Sequence, residues 1–357
     1  MSPELLILCL GALLCVPLIW IFPRYCAQDI VALITFFILA ALSLHSALWL
    51  LLSSVLVYFA LRFLPASDFF QIFTAGLILL LAFIFFLTRE QSAWQMIGVA
   101  YFTLRNIHVL LDGWMGRTDG PSNLRDMLHY QFFLPLIAVG PIHRYPQFQR
   151  ALKTRAFDRL EIACGAERAL LGLATASLLG GYLMVRANII MLNYFSSIPP
   201  FFAELWQSAF YWVGLYFTFS GLSSFAIGIS AMMGIGIEEN FNRPYAATNL
   251  LDFWTRWHMS LSSWCRDYVF KPITIMTHQP VLGLVAAMLV IGLWHATSLY
   301  YLLWSFWQVL GIILSRRWIA LIERYGIKIP YLVVATLGPL FVLLWLSLAR
   351  PLLTRLL

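Results

Sequence analysis

Two histidines in strongly apolar surroundings are the residues of this sequence best suited to chemistry. His258 lies in the aromatic segment RWHMSLSSW, and His295 lies in the apolar run VIGLWHATSLYY. An ionisable side chain at membrane depth is costly, and by default it indicates function. Because burial disfavours the charged imidazole, a buried histidine stays neutral near pH 7 and can accept a proton. His295 is therefore a candidate general base for a hydroxyl nucleophile, and the pair suggests proton chemistry on a buried substrate.

Each histidine also has a purely structural interpretation. His295 could bond a neighbouring helix, and His258 could sit beside tryptophans that anchor a helix at headgroup depth. The charges near His258 could pair with one another or hold a phosphate-bearing donor at the mouth of a site. The candidates for binding substrate or donor are the polar and aromatic residues close to the histidines: Asn242, Arg256, Trp257, Ser262, Arg266, Asp267 and Trp294.

The composition indicates that a bilayer, rather than water, surrounds the elements that position these residues. Hydrophobic residues make up 61% of the 357 residues and charged residues only 11%, whereas a soluble domain is about one quarter charged. The net charge of +7 lies in short loops, so it does not predict a nucleic-acid partner. The sequence has no HExxH, P-loop, GxSxG or GxGxxG motif and no CxxC pair. It therefore gives no support to a metal site, a nucleotide site or a bound cofactor.

Apolar stretches of about 20 residues, the length needed to cross a bilayer, recur along the chain. They occur at 4–22, 30–63 (long enough for two helices), 69–87, 93–112, 162–185, 205–235, 280–298, 299–320 and 330–349. This pattern predicts an all-α polytopic membrane protein with about nine to eleven transmembrane helices, together with re-entrant and amphipathic helices. We expect one integral-membrane domain over residues 1–357.

Three stretches do not fit simple spanning helices. Residues 113–161 contain Pro135, Gly140, Pro141 and Pro146, which predict a broken or re-entrant element beside an interior space. Residues 186–204 are expected to form a loop. Residues 249–270 are expected to form one amphipathic helix, with Asn249 as its N-cap and an acid three residues later.

The small residues in the segment FTFSGLSSFAIGISAMMGI favour close helix packing over direct substrate binding. The basic residues predict the topology. The segment 144–159 carries five basic residues and one acid, which places it in the cytoplasm by the positive-inside rule. A second cytoplasmic turn is indicated by Arg316, Arg317, Arg324 and Lys328.

Taken together, these motifs resemble a known family. The run ENFNRPYAATNLLDFWTRWHMSLSSWCRDYVFKPI, followed by GLWHATSLYYLLWSFWQVLG and preceded by QFFLPLIAVGPIHRYPQF, resembles the membrane-bound O-acyltransferases. It is most similar to the bacterial branch typified by the alginate O-acetylation membrane subunit and the D-alanyl transfer protein of teichoic acids. The resemblance covers a core of about residues 95–315.

The resemblance implies a helical fold around a tunnel, in the bacterial inner membrane. The donor would be a cytosolic thioester, either acyl-CoA or a phosphopantetheine carrier protein, used as co-substrate without a bound cofactor. The acceptor would be a hydroxyl of an extracytoplasmic glycan or of an intermediary protein, such as a periplasmic acyltransferase partner. His295 matches the family's essential histidine, and His258 matches its second polar position. We expect both histidines to border one cavity that is open toward the cytosol. We also expect membrane lipids to surround the protein as partners.

The chain also departs from the family pattern. The usual YFDFSGYSDMAIG appears here as YFTFSGLSSFAIG, with Thr218, Leu222 and Ser224 at the changed positions. The glycine-rich PLGG after Lys271 is missing. These differences concern the acceptor more than the chemistry. Two alternatives stay open: a transporter or flippase with a polar tunnel, and an acyltransferase acting on a lipid or peptide. The absence of a repeated half disfavours transport.

Overall fold

Helices form every regular element in the computed structural model, which describes residues 2–63, 68–90, 96–118, 120–194 and 198–357. In chain order the helices are α1 Pro3–Ile21, α2 Arg24–Leu42, α3 Leu44–Phe63, α4 Asp68–Glu90, α5 Val99–Trp114, α6 Leu124–Gln131, α7 Tyr145–Thr154, α8 Arg159–Ala174, α9 Met184–Tyr194, α10 Pro200–Met232, α11 Leu250–Arg256, α12 Met259–Cys265, α13 Lys271–Thr277, α14 Pro280–His295, α15 Leu299–Tyr325 and α16 Tyr331–Leu353. The predicted all-α fold is confirmed.

Eight helical stretches in the described ranges are long and apolar enough to cross a membrane. They are Pro3–Ile21, Arg24–Leu42, Leu44–Arg62, Gln71–Thr88, Arg159–Asn193, Pro200–Met232, Leu299–Tyr325 and Tyr331–Leu353. Residues 30–63 thus contribute to two helices, as expected. The expected spans at 93–112 and 280–298 are shorter helices, α5 and α14, each of 16 residues. Sixteen residues extend only about 24 Å, less than the roughly 30 Å hydrocarbon core. Residues 93–95 lie outside the described ranges.

The prediction of a loop at residues 186–204 is wrong for most of that range. A π-helical segment, Thr175–Leu183, joins α8 to α9. The chain therefore stays helical as far as Tyr194. The polar residues Arg186, Asn188 and Asn193 suggested a loop, but the intervening apolar run sustains the helix. Pro200 then occupies the first turn of α10, where a missing N–H costs nothing. Residues 195–197 of this expected loop lie outside the described ranges.

The chain divides into two compact units. One comprises Met1–Leu173 with Leu222–Glu238, and the other comprises Ala174–Gly221 with Glu239–Leu357. The expectation of one domain over the whole chain stays a prediction. Both candidate histidines belong to the second unit.

The first unit contains the broken segment predicted between residues 113 and 161. Between α6 and α7 the chain forms a short 3₁₀ turn at Leu134–Leu136 and then an extended stretch, with Gly140 at a φ of +117°. This stretch is buried, and the cavity beside it measures only about 20 Å³, too small to hold more than about one water. Protein side chains therefore pack around this irregular backbone.

Polar side chains of α5 and α6 hold that broken segment in place. The backbone N–H of Tyr145 donates to Nε2 of His108 at 3.1 Å, and the Tyr130 hydroxyl donates to the His143 carbonyl at 2.7 Å. The buried guanidinium of Arg105 donates to the carbonyls of Tyr130 and Gln131 at 3.4 and 3.2 Å. These bonds satisfy backbone groups at the end of α6, at the start of α7 and in the segment between them, as burial requires.

The second unit is organised around the hairpin of α14 and α15. Gly292 makes their close approach feasible, since a Cβ there would lie 2.7 Å from the Tyr301 carbonyl oxygen. Helix α16 packs on α15 through Trp307 and Trp345, whose rings stack at 4.3 Å. The indole N–H of Trp212 in α10 donates to the Leu346 carbonyl at 3.1 Å. The contact at Gly292 lies three residues before His295, at the C-terminal end of α14.

Close packing also explains the small residues of the 217–235 segment. A Cβ at Gly228 would lie 2.7 Å from the backbone nitrogen of Ala169, so only a glycine lets α10 approach α8 at this point. The packing interpretation is confirmed there.

Candidate active site

A sharp backbone break places His258 between α11 and α12. Asn249 caps α11, as predicted, by accepting from the Asp252 N–H at 2.9 Å, and Asp252 accepts in return from the Thr248 N–H at 3.2 Å. The single helix expected over 249–270 is wrong, because α11 ends at Arg256 and α12 begins at Met259. His258 lies in the left-handed region, with φ +42° and ψ +55°.

Asn240 holds the break open. Its carbonyl oxygen accepts from the Met259 N–H at 2.9 Å, and its side-chain oxygen accepts from the Ser260 hydroxyl at 2.8 Å. Asn240 is fully buried. A left-handed non-glycine residue costs about 1–3 kcal/mol, and it persists where the surroundings over-determine it, typically at functional sites. The backbone geometry therefore marks His258 as a functional position.

Ser262 completes this turn. Its hydroxyl donates to the Trp257 carbonyl at 3.1 Å, and its backbone N–H donates to the His258 carbonyl at 3.0 Å. Both carbonyls lie at the break between the helices. Ser262, a predicted binding residue, is thus placed by the structure in a supporting position behind His258.

The His258 ring is enclosed by aromatic side chains. It is 3% exposed and packs against Phe219 at 4.8 Å and Trp294 at 5.6 Å between ring centroids. This burial argues against a headgroup anchor. Within the described ranges no group hydrogen bonds to its Nε2 atom. Burial, and then the nearby His295, lower the pKa of His258 to about 3. His258 is therefore neutral at physiological pH, with one buried ring nitrogen left for a ligand.

His295 ends α14 and has an aromatic cage of its own. Its ring stacks on Tyr301 with centroids 5.5 Å apart and meets Trp304 edge-on at 5.8 Å. Tyr301 and Trp304 lie in the first turns of α15, which Ser298 caps. Neither residue was predicted, although their spacing of three after the HATS turn places both on the helix face toward His295.

The ring of Trp294 contacts both histidines. Its indole lies 5.6 Å from the His258 ring and 5.0 Å from the His295 ring. The imidazole centroids are therefore no further apart than these two steps combined. The structure thus brings together the two histidines and Trp294.

His295 lies in the wall of a cavity of about 380 Å³. The other lining residues are Ser208, Tyr211, Trp212, Leu215, Tyr300, Tyr301, Trp304, Leu346, Arg350 and Thr354. Hydroxyl groups and a guanidinium therefore share this cavity with the imidazole.

A second cavity, of about 670 Å³, lies beside Trp257. It is lined mainly by aromatic and aliphatic side chains, among them Tyr216, Tyr245 and Phe253, and it shares Trp212 and Leu346 with the first cavity. His258 lines neither cavity, because Trp294 and Phe219 cover its ring. A single space bordered by both histidines stays a prediction.

The charged candidate residues are engaged in local contacts. Arg256 pairs with Asp252 at 2.6 Å and donates to the Asn242 carbonyl at 3.4 Å, while the Asn242 N–H donates to the Arg256 carbonyl at 2.9 Å. These bonds fasten the segment before α11 to the end of that helix. Their observed role is to support the break at His258.

The second charged pair shows the expected mutual contact. Asp267 accepts from Arg266 at 3.3 Å and also from Lys271 at 2.8 Å. Within the described ranges, no three His, Cys, Asp or Glu side chains form a group that could hold a metal ion.

The fold and this site define a class: a polytopic α-helical membrane protein with two buried, neighbouring histidines. The sequence model of the membrane-bound O-acyltransferase family matches residues 115–353. This range includes both histidines and the residues of α16 that line the two cavities. The chain belongs to the membrane-bound O-acyltransferase family.

Three relatives indicate where in the family the chain lies. A Pseudomonas aeruginosa protein named "Probable alginate O-acetylase AlgI" is 31% identical over 224 residues, covering 62% of this chain and 42% of the relative. The "Teichoic acid D-alanyltransferase" of Bacillus subtilis is 29% identical over 232 residues, covering 60% and 57%. The "Peptidoglycan O-acetyltransferase" of Helicobacter pylori is 24% identical over 287 residues, covering 69% and 54%. The matched segments span about half the length of these relatives.

Proposed function

We propose that this protein is an O-acyltransferase of the bacterial inner membrane. It moves an acyl group from a cytosolic thioester donor, acyl-CoA or a phosphopantetheine carrier protein, to a hydroxyl of an extracytoplasmic glycan or of an intermediary protein partner. The observation that carries the proposal is the position of His295 in a cavity wall, next to the buried and neutral His258. The names of the relatives, which describe acetyl and D-alanyl transfer to cell-surface polymers, support it.

His295 acts as the general base in this mechanism. An imidazole nitrogen of His295 takes the proton of the acceptor hydroxyl while the hydroxyl oxygen attacks the thioester carbonyl. The tetrahedral intermediate then collapses, the C–S bond breaks, and the imidazolium returns the proton to the leaving thiolate. The products are an ester and a free thiol. Positioned proton transfer of this kind contributes about 10²–10⁴ in rate.

His258 supports the same reaction through its unpaired Nε2. When the Trp294 ring, which contacts His258, turns aside for the substrate, Nε2 in its protonated tautomer donates to the thioester carbonyl oxygen, where negative charge develops. A pKa of about 3 keeps the ring neutral throughout the working pH range, so it polarises the carbonyl without titrating. The left-handed backbone and the bonds to Asn240 fix the ring before substrate arrives.

The test is acyl transfer by the purified protein in lipid nanodiscs. Radiolabelled acetyl-CoA, or an acyl-carrier protein loaded with a labelled acyl group, is incubated with uronate, teichoic-acid and peptidoglycan fragments. We expect label to move to one acceptor class. His278→Asn is the matched control, since His278 is exposed and shares the left-handed backbone of His258. Uptake of a substrate into proteoliposomes without covalent transfer would overturn the proposal in favour of a transporter.

A further inference from the structure

Arg350 is a charged residue in the His295 cavity that the mechanism above leaves unused. We infer that its guanidinium binds an anionic group, a carboxylate or a phosphate, on the substrate that carries the acceptor hydroxyl. This inference rests on the proposed acyl transfer and names the class of acceptor. Arginine suits the role because its planar fork binds carboxylate and phosphate oxygens through two parallel hydrogen bonds.

The charge balance of the cavity supports an anionic ligand. The lining residues of the cavity include one arginine and neither aspartate nor glutamate. At the same end of the unit, Glu204 already pairs with Arg355, at 2.8 and 3.1 Å. No acid within the described ranges forms an ion pair with Arg350. Arg350 is exposed in the cavity wall, and a cation there without a counter-ion among the described residues favours a negatively charged ligand.

The remaining polar groups of the cavity suit a hydroxyl-rich ligand. Five of the residues that line the cavity carry hydroxyl groups: Ser208, Tyr211, Tyr300, Tyr301 and Thr354, of which Thr354 donates to the Arg350 carbonyl at 2.8 Å. Hydroxyls can both donate to and accept from the hydroxyl groups of a sugar or a polyol. The imidazole of His295 lies in the same wall, so a ligand held by Arg350 brings its own hydroxyls within one cavity of the base.

The ends of α15 and α16 show from which side this ligand comes. The cavity residues Tyr300, Tyr301 and Trp304 lie at the start of α15, and Arg350 and Thr354 lie at the end of α16. The opposite end of the hairpin carries Arg316, Arg317, Arg324 and Lys328, which the positive-inside rule places in the cytoplasm. A 23-residue helix such as α16 extends about 35 Å. The cavity therefore lies toward the extracytoplasmic side.

The number of membrane crossings before α10 also places this end of the unit on the extracytoplasmic side. The basic segment 144–159, assigned to the cytoplasm, precedes the span Arg159–Asn193, so the start of α10 falls on the other side. Glu204, in the first turns of α10, pairs with Arg355 just beyond α16. The phosphates of a CoA or carrier donor belong to the cytosol. The anion at Arg350 is accordingly a group of the acceptor, and the cavity departs from the cytosol-facing space expected from the sequence.

The test compares Arg350→Gln and Arg350→Lys in nanodiscs, with Arg355→Gln as the matched control. Arg355 lies five residues further along and pairs with Glu204, outside the cavity lining. Binding of an oligouronate, its carboxyl-reduced counterpart and an oligo(glycerol phosphate) is measured by calorimetry without donor. We expect at least one of the two anions to bind the wild type and the reduced sugar to bind poorly. Arg350→Gln should weaken anion binding at least tenfold and Arg350→Lys less, while Arg355→Gln should bind like the wild type.

Kinetics then separate the acceptor from the donor. In the transfer assay, Arg350→Gln should raise the KM for the anionic acceptor at least tenfold and leave the KM for the donor unchanged. A raised donor KM alone, an equal loss with the reduced sugar, or binding of neither anion by the wild type would overturn the assignment. A shift in melting temperature without any change in ligand binding would instead assign Arg350 to anchoring at lipid phosphates. Binding that depends on Arg350, in a protein that transfers no acyl group, would sink the proposed function and keep the anion site.

Discussion

The surroundings of the two histidines suit them to different tasks. His258 is enclosed, fixed by its backbone, and neutral over a wide pH range because burial lowers its pKa to about 3. His295 lies in the wall of a cavity and stacks on Tyr301. A base must meet the hydroxyl that it deprotonates, whereas a group that polarises a carbonyl needs only one fixed donor. This contrast supports the proposed roles, which are proton transfer by His295 and carbonyl polarisation by His258.

His295→Ala is expected to reduce kcat by about 10²–10⁴, because it removes the base from the cavity wall. Folding should persist, since the contacts of Trp304 with Tyr301 and with Trp254 do not involve the imidazole. Transfer of labelled acyl groups in nanodiscs gives the rate, and size-exclusion elution with thermal unfolding gives the fold. A well-folded variant with wild-type turnover would remove His295 from the mechanism.

At position 258 alanine and asparagine are expected to differ. Asparagine tolerates the left-handed backbone and brings an amide N–H in place of the ring N–H. Alanine offers no donor and adopts this conformation at a cost of about 1–2 kcal/mol. We therefore expect His258→Asn to keep more turnover and more stability than His258→Ala, with both below the wild type. Equal, full activity in both variants would show that the ring does not contact the thioester.

At the scale of elements, the break between α11 and α12 is the feature that sets the site. Asn240, which precedes both helices in the sequence, stabilises this break. Its backbone oxygen and its side-chain oxygen accept hydrogen bonds from the first residues of α12. Asn242 lies two residues away, is exposed, and contacts Arg256 through backbone atoms. The two asparagines thus form a natural pair of test positions.

Asn240→Ala is expected to lower activity at least tenfold, because the Ser260 hydroxyl and N–H lose their acceptor and the turn at His258 loosens. Asn242→Ala should leave thermal unfolding as in the wild type, since its side chain makes no contact that the break requires. Turnover and thermal unfolding of the two variants are measured side by side. Similar behaviour of both would show that the turn is held by its other contacts.

Local signals in the sequence predicted local structure well. The cap formed by Asn249 and Asp252 depends on residues three apart, and it is present as predicted. The break at His258 depends on Asn240, a partner outside the helical pattern, so the regular spacing of Trp254, Trp257 and Leu261 pointed to one continuous helix. In the same way, three polar residues obscured helix α9. Contacts with Asn240, a residue outside both helices, decided the first case, and the apolar run between the polar residues decided the second.

At the scale of the whole molecule, hydropathy predicted the all-helical fold and most of the spans. It could not distinguish a spanning helix from a buried one, and α5 and α14 proved to have 16 residues each. Nor could it predict that Trp212 and Leu346 line two cavities, because these residues come from α10 and α16. The pair of histidines could be predicted because an ionisable side chain within an apolar segment is rare.

Membrane topology is the whole-molecule property on which the direction of transfer depends, and paired cysteines can test it. Thr154→Cys is a nearly isosteric change at an exposed position in the basic segment 144–159, and Asn193→Cys is an exposed position at the far end of the span Arg159–Asn193. Both are made in a background with the exposed Cys26 and Cys164 replaced by serine. A membrane-impermeant maleimide added to intact cells or spheroplasts should label Asn193→Cys and spare Thr154→Cys, because five basic residues against one acid hold the segment in the cytoplasm. Both should label after permeabilisation, which controls for reactivity. The reverse pattern in intact cells would invert the topology and place the Arg350 cavity on the donor side.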